Sequence, residues 1–193
     1  MIRLLTLLAV LLPGAALAHH PMAGATPATL WQGLASGVGH PVIGLDHLAF
    51  IIGMAALALL TRAPRMMPVA FIAACVGGTL VHLQGVTLPA AELVIAGSVL
   101  LVGVLGLAGA RLPVAAAAGL FAAAGVFHGY AYGEAVIGAE TTPLLAYLIG
   151  FAITQVAIAW ALQFLAERSV RAAEWIRAGA GIATGIGVVF VTG

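Results

Sequence analysis

The strongest constraint on how this chain folds is a series of apolar stretches, each long enough to cross a membrane. About 20 helical residues span the hydrocarbon core of a bilayer. Six stretches of roughly that length follow one another, at 42–60, 68–84, 89–109, 113–132, 143–166 and 177–193. Only 7% of the residues are charged, whereas soluble proteins average about 25%. The pattern predicts an all-α, polytopic membrane helix bundle.

The start of the chain has the pattern of a cleavable signal peptide at 1–18. Arg3 supplies a positive charge, a short apolar run follows at 4–12, and an Ala-Leu-Ala cleavage site ends the segment. The apolar run is too short to cross a bilayer. We therefore expect a mature chain that begins at His19 outside the cytoplasm and forms a single six-helix transmembrane domain at 19–193 in the bacterial inner membrane.

The arginines provide an independent test of this orientation. Positively charged residues accumulate in the cytoplasmic connections of membrane proteins. If the N-terminus lies outside, the first, third and fifth connections are cytoplasmic. Every arginine beyond the signal peptide lies in or beside one of these three connections: Arg62, Arg65, Arg111, Arg168, Arg171 and Arg177. Signal peptide and charge distribution agree, and together they predict six spans with both termini outside.

Composition limits the function further. A net charge of +1 without any lysine gives no argument for a nucleic-acid partner. The single cysteine, Cys75, excludes an internal disulfide and a cysteine-based zinc site, and its place within an apolar span predicts a small buried side chain. Glycines within the spans predict close helix packing. They include Gly77, Gly78, Gly103, Gly106, Gly181, Gly185 and Gly187.

Titratable residues gather toward one end of the predicted spans. Such residues are costly inside a membrane and usually mark a functional site. In the predicted topology they lie near the outer face: His40, Asp46, His47, His82, Glu92, His128 and Glu134. Imidazole together with carboxylate suits nickel, cobalt or zinc, and a bound cation offsets the cost of burying Asp46. At the mature N-terminus, His19 and His20 are explained equally well as an amine and imidazole site for metal capture and as a simple polar start to the chain.

The spacing of three of these residues decides whether they can share one ion. On a regular helix His40 and His47 lie on one face but about 10 Å apart along the axis, and Asp46 and His47 point about 100° apart. A shared site therefore requires a break, and Pro41 and Gly44 stand between the ligands. The apolar run at 30–60 is also too long for one straight crossing, which favours a short helix, a break and then the span. Without a break, the two histidines would be successive binding positions along a transport path.

Several of the other residues have simpler interpretations. His82 is equally well explained as an interfacial residue, Glu92 as a favourable charge at a helix N-terminus, and Glu140 as a solvated loop charge. Three aromatic residues are typical of the membrane interface: Trp31, Tyr130 and Tyr132. A purely structural role is less well supported for His40, Asp46 and His47, because an aspartate within a membrane span needs a partner for its charge.

The segment 39–48, GHPVIGLDHL, resembles the signature of the HupE/UreJ family, whose members are hydrogenase and urease accessory membrane proteins regarded as nickel or cobalt permeases. The resemblance continues in the topology, at 91–93 and 98–100, and in FHGYAYGE at 127–134, and it covers essentially the whole mature chain. It implies that His40, Asp46 and His47 are metal ligands and that His128 is a further one.

The chain departs from the family pattern in two places. Many members carry additional histidines where Tyr130 and Tyr132 stand, and many carry a histidine in the fifth span, where this chain has Thr154 and Gln155. With fewer imidazoles, cobalt in an oxygen-rich site fits as well as nickel.

The leading hypothesis is a secondary-type permease that takes nickel or cobalt inward from the periplasm, with His82, Glu92 and Glu134 lining the approach. The sequence contains no nucleotide-binding motif, so an ion gradient, the membrane potential or a partner would supply the energy. One rival is an intramembrane zinc hydrolase with Glu92 or Glu134 as general base. Another is a metal sensor or assembly factor that serves a metalloenzyme without transport.

Two structural features would discriminate between the enzyme and the permease. A closed three-ligand cluster beside a lipid-accessible slot favours the enzyme. A polar passage through the bundle favours transport. Candidates for lining such a passage are Met54, Thr79, Ser98, Thr154 and Gln155.

Overall fold

The computed structural model describes residues 25–193, so the predicted signal peptide, His19 and His20 lie outside the described residues. Between 25 and 193 the chain forms seven helices and no strand. They are α1 Leu30–Ile43, α2 Leu45–Ala58, α3 Met66–Leu83, α4 Ala91–Leu107, α5 Val114–Glu134, α6 Thr141–Arg168 and α7 Ala172–Thr192.

Helix lengths match those of a membrane bundle. Helices α3, α5, α6 and α7 are each long and apolar enough to cross a bilayer. Helices α1 and α2 pass the same test together, although they are bent by 71° at the residue between them. Helix α4 is apolar and has 17 residues, which is the lower limit for a crossing. The predicted class, a helical membrane bundle, is confirmed.

The chain breaks between α1 and α2 at Gly44, as the length of the run predicted. Helix α1 begins with a capping box, in which the side chains of Thr29 and Gln32 each accept a hydrogen bond from the other residue's backbone N–H. It then runs unbroken through its glycines and Pro41. Gly44, with φ −69° and ψ 103°, ends α1 and serves as the N-cap of α2. The break therefore lies two residues before Asp46.

Helix α2 is the centre of the bundle. It contacts every other described helix, and eleven of its 14 residues are buried. Around it, α3 packs most closely along α5, α1 along α6, and α4 along α7. Asp46 and His47, at the start of α2, are therefore enclosed by protein.

Glycines explain how the outer pairs approach so closely. A Cβ atom at Gly129 of α5 would meet the backbone of Cys75 in α3, and one at Gly103 of α4 would meet the backbone of Thr184 in α7. Cys75 itself is fully buried, as predicted. The packing prediction is confirmed for Gly78, Gly103, Gly106 and Gly187. It is wrong for Gly77, Gly181 and Gly185, whose missing side chains would point into open space.

The two ends of the bundle differ in charge. The connections at 59–65, 108–113 and 169–171 meet at one end, which we call the arginine end. There Arg65 bonds to Glu167 and Gln163 at the end of α6, and Arg62 and Arg111 line one shared cavity. The connections at 84–90 and 135–140 lie at the opposite end, which we call the histidine end. All arginines of the described chain thus lie at or near the arginine end.

Candidate metal-binding site

The break at Gly44 brings together residues that an unbroken helix would hold apart. His40 lies in the last turn of α1, and Asp46 lies in the first turn of α2, where the helix dipole favours a negative charge. The ring centroids of His40 and His47 are 5.6 Å apart, compared with about 10 Å along a continuous helix. All three side chains are at most 2% exposed.

His128 joins this cluster from α5. Its Nδ1 lies 2.8 Å from Nδ1 of His47, and its Nε2 lies 2.9 Å from the hydroxyl of Ser98 in α4. The Ser98 hydroxyl donates its one hydrogen to the carbonyl of Ile95, so it accepts from Nε2–H of His128. Nδ1 of His128 then accepts from Nδ1–H of His47. This network assigns Nε2 of His47 as the unprotonated, ligand-type nitrogen.

A second hydroxyl orients His40 in the same way. The phenol of Tyr147 in α6 donates to the backbone carbonyl of Tyr132, at 2.8 Å, and lies 2.8 Å from Nδ1 of His40. Because that hydrogen is already donated, Tyr147 accepts from Nδ1–H of His40. Nε2 of His40 is then unprotonated as well. Metal-binding histidines characteristically donate their other N–H to an oxygen acceptor in this manner.

Aromatic rings enclose the cluster. Tyr132 stacks on His47, with centroids 4.3 Å apart, and its other neighbour in the stack is Phe151, at 5.1 Å. Phe50 and Phe71 contact the ring of His128 at 4.5 and 5.6 Å. Phe50 lies one turn farther along α2 than the cluster, so these two phenylalanines close its arginine-end side.

The remaining predicted residues lie outside the cluster. His82 is half-buried near the histidine end, with its ring 4.2 Å from that of Tyr130. Glu92 and Glu134 are exposed at the same end. Glu140 is exposed, as expected for a solvated charge. The interfacial interpretation of Tyr132 is wrong, because its side chain is fully buried against the two histidines.

Within residues 25–193, no three His, Cys, Asp or Glu side chains are already arranged to hold one metal ion. The predicted ligand set of His40, Asp46, His47 and His128 stays a prediction. The structure shows that the side chains of His40, Asp46 and His47 are close together and buried, and that hydrogen bonds orient the histidine rings. In the present arrangement both ring nitrogens of His128 are engaged, by His47 and Ser98, so His128 acts on the cluster through His47.

The predicted lining residues are mostly buried. The Thr79 hydroxyl donates to the carbonyl of Gly129 at 2.8 Å, which is a packing contact between α3 and α5. Met54 is buried in the core. Gln155 is fully buried, and neither atom of its amide has a hydrogen-bond partner among the described residues. Thr154, its neighbour, is half-buried.

Sequence reasoning missed Tyr147 altogether. A single tyrosine in an apolar span carries no signal of its own. The backbones of Pro143 and Tyr147, one turn apart in α6, pack against Gly33 and Gly37 of α1, and no pattern in the sequence indicates that these two helices pair. Because α6 packs against these glycines, α6 also supplies the side chain that contacts His40, one turn farther along α1.

Gly44→Ala is expected to disturb this site without disturbing the fold. The backbone at Gly44 suits alanine, but the added Cβ would lie 2.7 Å from Cδ2 of His47 and 3.3 Å from Oδ1 of Asp46. Such crowding costs about 1–3 kcal/mol, so metal affinity should fall by about tenfold or more. Titration calorimetry with nickel or cobalt measures the affinity. Gly97→Ala, which meets nothing within 4 Å, is the control, and equal affinity in both variants would contradict the assignment.

The family model described as "HupE / UreJ protein" matches residues 7–190. "Protein HupE" of Rhizobium leguminosarum bv. viciae is 32% identical over 130 residues, which cover 66% of this chain and 64% of that protein. The alignment thus spans less than two thirds of the relative's length. No solved structure matches the chain.

Proposed function

Because this chain belongs to the HupE/UreJ family, we propose that it is a membrane permease that carries nickel or cobalt inward from the periplasm. Its family is associated with nickel or cobalt uptake and with hydrogenase or urease maturation. The observation that supports the proposal most is the buried cluster of His40, Asp46 and His47 at a helix break in the centre of the bundle.

The chemistry of the cluster suits a divalent transition metal. Nε2 of His40 and of His47 are the ligand-type nitrogens, and the Asp46 carboxylate supplies charge and an oxygen. Borderline metals such as nickel, cobalt and zinc accept this mixed set. Binding to imidazole and carboxylate replaces the water that the ion loses on entering the bundle. The hydroxyls of Tyr147 and Ser98 and the ring of His128 hold the ligands in orientation.

The direction of transport follows from the proposed topology. We assign six spans with both termini outside, counting the α1–α2 pair and α4 as one span each, with the arginine end in the cytoplasm. The histidine end then faces the periplasm. A membrane potential is worth about 2.3 kcal/mol per charge per 100 mV, so it drives a divalent cation from the histidine end to the arginine end. An ion gradient or a partner would serve the same purpose.

The approach to the cluster would use the acidic and imidazole groups at the histidine end. Glu92 and Glu134 are exposed there and would attract cations, and His82 is half-buried at the same end. His19 and His20, outside the described residues, would capture metal at the mature N-terminus. A metalloenzyme assembly partner in the cytoplasm would receive the ion.

Transport is better supported than the zinc-hydrolase alternative. A hydrolase needs a general base beside the metal-bound water, but Glu92 and Glu134, the predicted bases, are exposed rather than in the cluster. A buried polar side chain farther toward the arginine end, Gln155, is what a passage would provide. A sensor or assembly factor would bind metal at the same cluster without flux.

Flux measurements test the function directly. Vesicles that contain the purified full chain, with an inside-negative potential, should accumulate radiolabelled nickel or cobalt faster than empty vesicles. Unlabelled ion should compete, and collapse of the potential should slow uptake. Saturable binding without accumulation would replace the permease by a sensor or assembly factor.

The orientation can be tested with introduced cysteines, since the native Cys75 is fully buried and out of reach of an impermeant reagent. Val86→Cys lies in the histidine-end connection 84–90, and Arg111→Cys lies at the arginine end; both positions are exposed. We expect a membrane-impermeant maleimide to label Val86→Cys in cells with a permeabilised outer membrane, and Arg111→Cys only in inverted inner-membrane vesicles. Labelling with the opposite preference would reverse the direction of transport.

A further inference from the structure

Gln155 is an anomaly within the apolar core. Its side chain is 0% exposed, and neither its amide nitrogen nor its amide oxygen has a hydrogen-bond partner within residues 25–193. Leaving a buried polar group unpaired costs about 1–3 kcal/mol. Polar side chains inside membrane helices usually find a partner or have a function. Gln155 therefore needs an explanation that packing does not supply.

A second buried glutamine on the same helix, Gln163, has hydrogen-bond partners for both atoms of its amide. Gln163 is equally buried. Its Nε2 donates to the carbonyl of Pro64 at 3.1 Å, and its Oε1 accepts from Arg65 at 2.9 Å. This amide joins α6 to the α2–α3 connection. Gln155 makes no comparable bond to any residue that the structure describes.

The position of Gln155 relates it to the cluster. Buried residues recur every four positions along α6, at Tyr147, Phe151, Gln155, Ala159 and Gln163, and all five are 0% exposed. Tyr147 contacts His40 of the cluster, and Gln163 contacts Arg65 of the arginine end. Gln155 is eight residues from each, which is about 12 Å along the helix axis. Along the axis of α6 it lies midway between Tyr147, which contacts the cluster, and Gln163, which contacts the arginine end.

We propose that the Gln155 amide is a transit site for the metal ion between the histidine cluster and the arginine end. The proposal rests on the permease function assigned above. A passing ion, with part of its water shell, is bound by the amide oxygen and by waters that the amide orients.

The chemistry of an amide fits a transit site better than a binding site. Conduction requires sites strong enough to admit an ion and weak enough to release it. An amide oxygen is a neutral ligand, so it lowers the cost of dehydration without trapping the ion as a second carboxylate would. The site also divides the roughly 24 Å from Tyr147 to Gln163 into two steps of about 12 Å.

Gln155→Leu separates this role from packing. Leucine has a similar volume and no polar atoms, so the variant should melt at the same temperature as the wild type or higher. The histidine cluster should bind nickel with an affinity within about twofold of wild type, whereas the initial rate of nickel uptake into vesicles should fall by at least about tenfold. Uptake at the wild-type rate would overturn the transit site and leave the permease function intact.

Two further outcomes complete the test. A loss of uptake accompanied by an equal loss of bound nickel, or by a lower melting temperature, would assign Gln155 a purely structural role and overturn the proposal. Gln155→Glu should bind one more nickel ion per chain than the wild type, measured by elemental analysis, and transport more slowly; an unchanged stoichiometry in the folded variant counts against the site. If wild-type vesicles accumulate no nickel, the permease function fails first, and the transit site fails with it.

Discussion

Asp46→Asn is expected to lower nickel or cobalt uptake by about a hundredfold or more. Asparagine keeps the shape of the side chain and an oxygen that can still accept the backbone N–H of His47, at 2.8 Å in the wild type. It removes the charge. Two unit charges 4 Å apart interact by about 4 kcal/mol at an effective dielectric constant of 20, and each 1.4 kcal/mol is a tenfold change in affinity.

The effect should be large because nothing nearby replaces that charge. Asp46 is the one buried carboxylate in the described part of the chain, and the imidazoles of the cluster bind metal as neutral groups. The metal-free variant should fold normally, since asparagine keeps the shape of the side chain and the hydrogen bond to the His47 N–H. Any loss of uptake can then be attributed to binding.

Uptake and equilibrium binding should be measured together on the same preparations. Glu140→Gln removes an exposed carboxylate at the histidine end and serves as the matched control, with rates expected within about twofold of wild type. Asp46→Asn with wild-type binding and wild-type uptake would remove the cluster from the proposed mechanism.

Gly129→Val should have the largest effect on stability. Any Cβ at Gly129 would meet the backbone carbonyl of Cys75, and the two helices pack more closely there than a side chain allows. Backbone cannot move aside as a flexible side chain can, so α3 and α5 must separate. Overpacking of this kind costs about 1–3 kcal/mol, occasionally more. The hydrogen bond from Thr79 to the Gly129 carbonyl would be strained as well.

The same helix offers a matched control. Gly119 of α5 has nothing within 4 Å of its missing side chain, so Gly119→Val changes helix propensity without changing packing. We expect Gly129→Val to lower the free energy of unfolding by at least about 3 kcal/mol, and Gly119→Val to stay within about 1 kcal/mol of wild type. Unfolding in mixed micelles with increasing denaturing detergent measures both. Equal stabilities would show that α3 and α5 tolerate separation.

Much of the candidate site could be predicted from the local sequence, whereas the residues contributed by other helices could not. His40, Asp46 and His47 are close in sequence, so whether their side chains meet depends only on a break in the helix between them. Gly44 allows that break. Tyr132 was misassigned because an aromatic near the end of a span fits the interface equally well. Its actual surroundings depend on how α5 is rotated against α1 and α2. The hydroxyls of Tyr147 and Ser98 reach the histidines only because helices distant in sequence pack together.

Glycine packing shows the same division. The sequence predicts that glycines in spans permit close approach, but Gly77 and Gly78 are neighbours with opposite outcomes, open space for one and the backbone of α5 for the other. Successive residues on a helix point about 100° apart. Only the rotation of α3 in the bundle decides which of the two faces α5.

The sequence by itself determined the membrane class of the fold, because apolar length and low charge leave no other solvent, and it located the residues that carry the candidate chemistry. The tertiary structure decided that the chain breaks at Gly44 and not earlier in α1, that the histidines on either side of the break meet, and that hydroxyls from α4 and α6 set their ring orientation. It also left the Gln155 amide without a hydrogen-bond partner among residues 25–193. These outcomes depend on the rotation and depth at which helices pack, and no local pattern encodes them.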